Sequence, residues 1–302
     1  MKYRKTWQDQ LSTFNQVKQN AKSVYDNLDS QPNKNSDFFH GEWDFINSMI
    51  SSELFPVPKE EFLTIKHVGG TMFVDAWGDW FTAQFDFLRS KLDHRDLIYC
   101  MYEDYAGGAH QKYRLVDGVA TSHNCIHHMY HIAKYQDTTG KNIGDANTIV
   151  EWGGGYGNLA KLITRLTGEK TYILVDSPTI LTIQWLYLCS VFSPDQVNVV
   201  TMDSPKIISG KFNLLPTSCI ELLSDQDVDM FISTWALSES AQKAKDFVIE
   251  EDFFGAESVL VALHHDVSKF TGSSTLIDAI SSTGGKVTDI SCMPDGHSYL
   301  FR

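Results

Sequence analysis

The stretch "NTIVEWGGGYGNLAKLI" places an acid, Glu151, two residues before the first of three alternating glycines, Gly153, Gly155 and Gly157. A β-branched run precedes them and a helical pattern follows, so the loop can bring bare backbone against a ligand with no Cβ in the way. Phosphates are the common ligands of such turns, but neither phosphate pattern is met. Asn158 stands where G-x-G-x-x-G needs its last glycine, and no Gly-Lys-Ser/Thr follows. An acid beside the loop repels a pyrophosphate. It suits a cationic amino group, such as that of the methionine part of S-adenosylmethionine (SAM). Asp176 lies nineteen residues after Gly157 and ends the run "TYILVD", where a carboxylate can accept from both ribose hydroxyls. Met202 and Asp203, at the end of "VNVVTM", fall where contacts to adenine are expected.

A second group offers proton transfer. "STWALSES" closes one strand-like run with Ser233, Thr234, Trp235, Ser238 and Glu239, and "ALHHDV" closes the next with His264, His265 and Asp266. A hydroxyl is a poor nucleophile at neutral pH, and a positioned His or carboxylate that takes its proton contributes about 10²–10⁴-fold. Neighbouring strand residues face opposite sides, so only one of the two histidines enters a pocket while the strand continues; His264 is preferred. On the helix of "SHNCIHHMYHIAKY", His123, His127 and His131 recur every fourth residue with His128 beside them. No acid or Cys follows at ligand spacing, so no metal is expected. Ile126, Met129, Tyr130 and Ala133 are read as the core side of that helix. His110, after two glycines in "AGGAHQKY", is a further candidate.

The elements that must carry these residues are legible in outline. Trp7, Leu11, Phe14, Val17, Ala21, Val24 and Leu28 form a helical stripe. Residues 1–100 read as a mainly helical cap, with the aromatic "DAWGDWFTAQFDF" as a lid or a dimer contact. Residues 101–145 read as a loop and helix lining the cleft. From 146 to 302, strand and helix alternate: "TIVEW", "TYILVD", "VNVVTM", "DMFISTWAL" and "ESVLVALHH" are strands, and 205–220 is irregular. Ser177 and Pro178 start a helix. "KVTDISCM" and "HSYLFR" close a hairpin through Pro294-Asp295-Gly296. The pattern is α/β, a doubly wound and mostly parallel sheet whose last strand is antiparallel.

"IVEWGGGYGNLAKLI", "YILVDSPTILTIQWLYL" and "FISTWALSES" together resemble a family of sugar O-methyltransferases within the class I SAM-dependent methyltransferases. The resemblance covers about 148–266, with Trp152 departing from the commoner small or aliphatic residue. It implies a Rossmann-like fold, SAM as cofactor, S-adenosylhomocysteine as product and a hydroxyl of a surface-glycan precursor as acceptor. Spacing and resemblance together give a cofactor set of Glu151, Gly153, Gly154, Gly155, Tyr156, Gly157, Asp176, Ser177, Met202, Asp203, Ser233, Thr234 and Trp235. The acceptor is expected at Tyr130, His127, His110 and Ser238, and the chemistry at His264, His265 and Glu239.

A net charge of −13 disfavours nucleic acid and anionic membrane surfaces as partners. The most apolar window, 178–192, is too short to span a bilayer. Five dispersed cysteines without a CxxC pair, and no apolar run after the N-terminal "MKYRK", read as a reducing, cytoplasmic setting. A nucleotide-linked phosphoramidate acceptor, a non-catalytic partner subunit and a nicotinamide-dependent oxidoreductase are the competing readings. The last lacks a Tyr-x-x-x-Lys pair in the core.

Overall fold

Helix α1 (Trp7–Val17) begins with a reciprocal cap: the Thr6 side chain accepts from Asp9 N, and Asp9 accepts from Thr6 N. The computed structural model describes residues 4–32, 35–72, 74, 80–112, 114–116, 118–267 and 269–302, the side chains of 110–112, 114 and 115 apart. Along α1 and α2 (Ala21–Asp29), the apolar stripe buries Phe14, Val17, Ala21 and Leu28. Helices α3 (Gly41–Leu54), α4 (Lys66–Thr71), α5 (Trp80–Lys91) and α6 (His94–Met101) follow, so the N-terminal region is helical as expected. A small hairpin of β1 (Arg114–Val116) and β2 (Val119–Thr121) then leads into α7 (His123–Thr139).

The alternating part runs β3 (Thr148–Trp152), α8 (Asn158–Thr167), β4 (Thr171–Asp176), α9 (Pro178–Val191), β5 (Val197–Val199), β6 (Phe212–Pro216) and β7 (Met230–Thr234). It continues with α10 (Ala236–Glu239), α11 (Gln242–Glu250), β8 (Ser258–His264), α12 (Ser273–Ser282), β9 (Lys286–Asp289) and β10 (His297–Phe301). The sheet order is β5-β6-β4-β3-β7-β8-β10-β9. All neighbours from β5 to β8 are parallel, while β10 is antiparallel to β8 and to β9. This is the Rossmann-like arrangement with an antiparallel last strand. Alternate strand residues feed two cores: Ile149, Tyr172, Leu174 and Ile232 on one face, and Val150, Ile173, Val175 and Phe231 on the other.

Two sequence expectations need correction here. "VNVVTM" is a strand only over Val197–Val199, at the sheet edge, and β6 takes the place beside β4 inside the stretch expected to be irregular. Asn213 breaks the apolar run in sequence, but its buried amide is fully used. It binds the Asn198 side chain, the N and O of Ile208 and Lys211 O, so β6 tolerates it.

Helix α9 explains the cap. Thirteen of its residues, Thr179 to Val191, are buried, so a helix apolar all round needs cover on every side. The sheet supplies one side, and α1 and α2 pack on another. The cap is also pinned by charge. Asp104 accepts from both guanidinium nitrogens of Arg165 at 2.9 and 2.8 Å, lies 3.2 Å from Lys161 Nζ, and also binds Gln10 and Arg4. These cations hold the buried Asp104 carboxyl well below the usual range against the opposing effect of burial. Asp104→Ala removes the carboxylate partner of buried Arg165 and leaves buried Lys161 with Glu103, 3.7 Å away, as its one carboxylate among the described residues; destabilisation of about 3–5 kcal/mol is expected. Urea unfolding of the variant checks this; a loss near zero would mean that the cluster holds nothing.

Candidate functional site

The C-terminal ends of β3, β4, β7 and β8 open into a cavity of about 600 Å³, roofed by α3 and α7. The topological switch point, where the chain leaves β3 toward β4 and leaves β7 toward β8, lies in its floor. Gly153 has φ +74°, and a Cβ there would sit 2.0 Å from the Ala236 Cβ, so the loop lies hard against α10. Gly155, with φ +53°, is different: a Cβ there would meet no protein atom within 4 Å, although the residue lines the cavity. The positive φ favours glycine there, and the backbone of Gly155 stays open on its cavity side. Gly154 and Tyr156 also line the cavity, whereas Gly157 sits behind it as the left-handed N-cap of α8.

Two carboxylates face that space. Glu151 is buried and accepts from the Tyr172 hydroxyl at 2.8 Å; burial, opposed by that hydrogen bond and reinforced by Asp176, pushes its carboxyl up to about 8. Asp176 accepts from Ser177 N at 2.8 Å and from Gln184 Nε2 at 3.2 Å, and burial still pushes it up to about 7. Gln184 also donates to Gly155 O, tying Asp176 to the glycine loop. Ser177 caps α9 and donates to Asn47 of α3. No Lys or Arg is among the described residues lining the cavity. The site is built for positive charge and against phosphate.

A pH dependence follows. Both acids have folded-state values above their ordinary ones, so the ligand-free fold favours their protonated forms, and that contribution is lost as pH rises through 7 to 8. A cationic ligand favours the ionised forms. Its affinity is expected to tighten as pH rises between 6 and 8, by up to about tenfold per unit for each carboxylate, with proton release. Calorimetry in buffers of different ionisation enthalpy reads that release; affinity independent of pH would contradict it.

At the other end, β8 delivers His264 into the cavity and turns His265 outward, where its Nε2 meets Ser298 Oγ. His264 Nδ1 lies 2.9 Å from the carbonyl of His265. A carbonyl only accepts, so Nδ1 carries the proton and Nε2 presents a lone pair. Among the described residues Nε2 has no hydrogen-bond partner, and Glu239 Oε1 lies 3.9 Å away. Nε2 is shielded from solvent in the ligand-free protein, so a small turn of the ring must open it to an acceptor. Burial pushes the Glu239 carboxyl up to about 7. Thr234 and Trp235 also line the cavity, Trp235 with φ +64°, a conformation that a bulky residue adopts only under constraint. Ser233 and Ser238 are buried supports: Ser233 donates to Trp152 O and accepts from Leu237 N, and Ser238 donates to Trp235 O.

Helix α7 contributes His123, Asn124, His127 and His128 to the wall. Burial pushes the His123 ring down to about 4 and the His128 ring to about 3, and lowers His127 and His131 strongly, so the wall is neutral. Tyr130 does not line the cavity; it packs edge-on to Phe87. His131 turns to the Tyr299 hydroxyl at 2.6 Å. Met202 and Asp203 lie outside the cavity, with Met202 43% exposed and its N bound to Gln31. Because β6 sits where β5 was expected, Thr217 after β6 lines the cavity instead. The His110 side chain lies outside the described residues. Sequence reasoning missed Asn47, Trp43, Trp80 and His297 on the walls. Among the described residues no helix is long and apolar enough to cross a membrane.

No family model matches the chain, and no curated protein does. Solved structures align with it. An O-methyltransferase family protein from Burkholderia thailandensis has 10% identity and a TM-score of 0.40, over 98% of this chain and 97% of that one. A mitomycin 7-O-methyltransferase has 12% identity and a TM-score of 0.39, over 83% and 74%. The magnesium protoporphyrin IX methyltransferase of Synechocystis, with bound SAM, has 11% identity and a TM-score of 0.39, over 75% and 97%. Likeness at this level carries neither a residue nor a ligand across to this chain.

Proposed function

We propose that the protein is a SAM-dependent O-methyltransferase acting on a neutral hydroxyl compound of sugar type. The observation that carries the reading is the pair Glu151, buried, and Asp176, half-buried, at the ends of adjacent strands, flanking a glycine loop with no Lys or Arg among the described residues of the cavity wall. The residues fit the cofactor. Glu151 would meet its ammonium group, the open face of Gly155 would admit its amino-acid part, and Asp176 would accept from its ribose hydroxyls. When bound, SAM supplies a methyl group on a sulfonium. The chain's own work is then alignment, exclusion of water and removal of one proton.

His264 Nε2 takes that proton from the acceptor hydroxyl, and Glu239 stabilises the imidazolium that forms. The aromatic faces of Trp43, Trp80 and Trp235 suit the C–H faces of a sugar ring, and Asn47 and Asn124 supply amide hydrogen-bonding groups. A phosphoryl-bearing acceptor such as a nucleotide-linked phosphoramidate finds amides and hydroxyls but no Lys or Arg among the described residues of this wall, and three acids that repel it. The test is incubation with methyl-labelled SAM and a panel of neutral glycosides, read by mass spectrometry. One added methylene on an acceptor, with equimolar S-adenosylhomocysteine, is expected. Tight cofactor binding with no transfer across the panel would favour a non-catalytic binding subunit.

A further inference from the structure

His264 has a neighbour of opposite character. His297, the first residue of β10, is its direct partner in the antiparallel pair, and both line the cavity. Directly opposed residues project from the same face with Cβ atoms about 4.5–5.5 Å apart. The Trp235 indole Nε1 lies 3.2 Å from His297 Nδ1. An indole N–H can only donate, so His297 Nδ1 accepts and the neutral ring keeps its proton on Nε2. Trp235 itself is held for this contact by its constrained backbone, whose N donates to Ala262 O at 2.6 Å. Side by side, then, stand one ring nitrogen that can only accept and one that can only donate.

We infer that the acceptor bears a second oxygen on the carbon next to the hydroxyl that is methylated, and that His297 Nε2 holds this second oxygen. The inference rests on His264 being the base of the proposed methyl transfer. The reacting hydroxyl gives its proton to His264 Nε2 as its oxygen bonds the methyl carbon, and the electron pair of the broken carbon–sulfur bond stays on sulfur. The neighbouring oxygen accepts from His297 and neither gains nor loses a proton. His297 is half-buried, so a bound acceptor that covers it without a second oxygen takes its donor out of water unpaired, and a site so built disfavours the analogue that lacks the partner. The substrate class is a vicinal diol or its mono-ether, alicyclic as in a pyranoside or aromatic as in a catechol. His297 is a positioning residue.

Histidine-labelled protein saturated with S-adenosylhomocysteine tests this through long-range ¹H–¹⁵N spectra of the rings. Saturation is measured first in the same sample, so a failure to bind the cofactor product is recorded separately and counts against the function, not against the His pair. His264 is expected as the Nδ1–H tautomer and His297 as the Nε2–H tautomer, with Trp235→Phe releasing only the second. Matched probes follow: cis-1,2-cyclohexanediol against cyclohexanol, and catechol against phenol. The diol that fits moves the His297 Nε2 resonance, its single-hydroxyl partner does not, and the arm that responds tells alicyclic from aromatic. The diol binds about 10–100-fold more tightly than its partner. His297→Gln keeps a donor and this preference, while His297→Leu loses it with the fold intact by circular dichroism. His297 found as the Nδ1–H tautomer, or no difference between diol and single alcohol in both arms (absence of binding included), overturns the proposal.

Discussion

His264→Ala lowers kcat for methyl transfer by about 10²–10⁴-fold, the range that a positioned base contributes, while affinity for S-adenosylhomocysteine stays that of the wild type. The division follows from the geometry. His264 ends β8 and Glu151 ends β3, with β7 between them in the sheet, so base and cofactor carboxylate sit on separate strands. Removing the imidazole leaves Glu239, pushed up to about 7 by burial, as a poorer base without the lone pair on Nε2. Glu239→Gln produces a smaller fall in kcat and flattens the rise in activity between pH 6 and 8 that its ionisation causes. Initial rates at saturating cofactor, with calorimetry on the same preparations, separate the two effects. A variant that loses cofactor affinity and keeps kcat would exchange the roles assigned here.

Asp176→Ala weakens S-adenosylhomocysteine binding by about 10- to 100-fold, because hydrogen bonds to an ionised carboxylate are each worth about 1.5–3 kcal/mol. The same change costs the ligand-free fold less than Asp104→Ala does. No ion pair reaches Asp176 among the described residues, and burial pushes it up to about 7, so its removal frees two hydrogen-bond donors, Ser177 N and the Gln184 amide, rather than breaking an ion pair. Asp104 is the contrast: both acids are held inside, but Asp104 neutralises Arg165 and Lys161. Urea unfolding of the two variants, beside their titrations, distinguishes them; an Asp176→Ala protein as destabilised as Asp104→Ala would make Asp176 structural.

Glu151, the glycine loop and Asp176 were legible because each sits at a strand end that its own apolar run announces. His264 over His265 was legible from strand alternation alone. The cavity residues after the next strand were not, because Asn213 disguised β6 and the inner strand was read at "VNVVTM", whereas Met202 and Asp203 lie outside the cavity and Thr217 lines it. On α7 the sequence showed the histidines but not the helix phase. At about 100° per residue His123, Asn124, His127, His128 and His131 share one face and Tyr130 falls at its edge; His131 misses the cavity because it lies further along the axis, where its ring meets the Tyr299 hydroxyl. His297 was beyond local reading, since only the insertion of β10 beside β8 sets it opposite His264. The same holds for Asn47 and Trp43, whose helix α3 meets the site solely through tertiary packing.

The most direct measurement is calorimetric titration of the wild-type protein with S-adenosylhomocysteine, with NAD⁺ and NADP⁺ as controls. Micromolar binding of S-adenosylhomocysteine, with protons released at pH 7 and no heat from either nicotinamide nucleotide, is the predicted result. Silence toward S-adenosylhomocysteine, or binding of a nicotinamide nucleotide in its place, would contradict the assignment of Glu151 and Asp176 to a cationic adenosyl ligand.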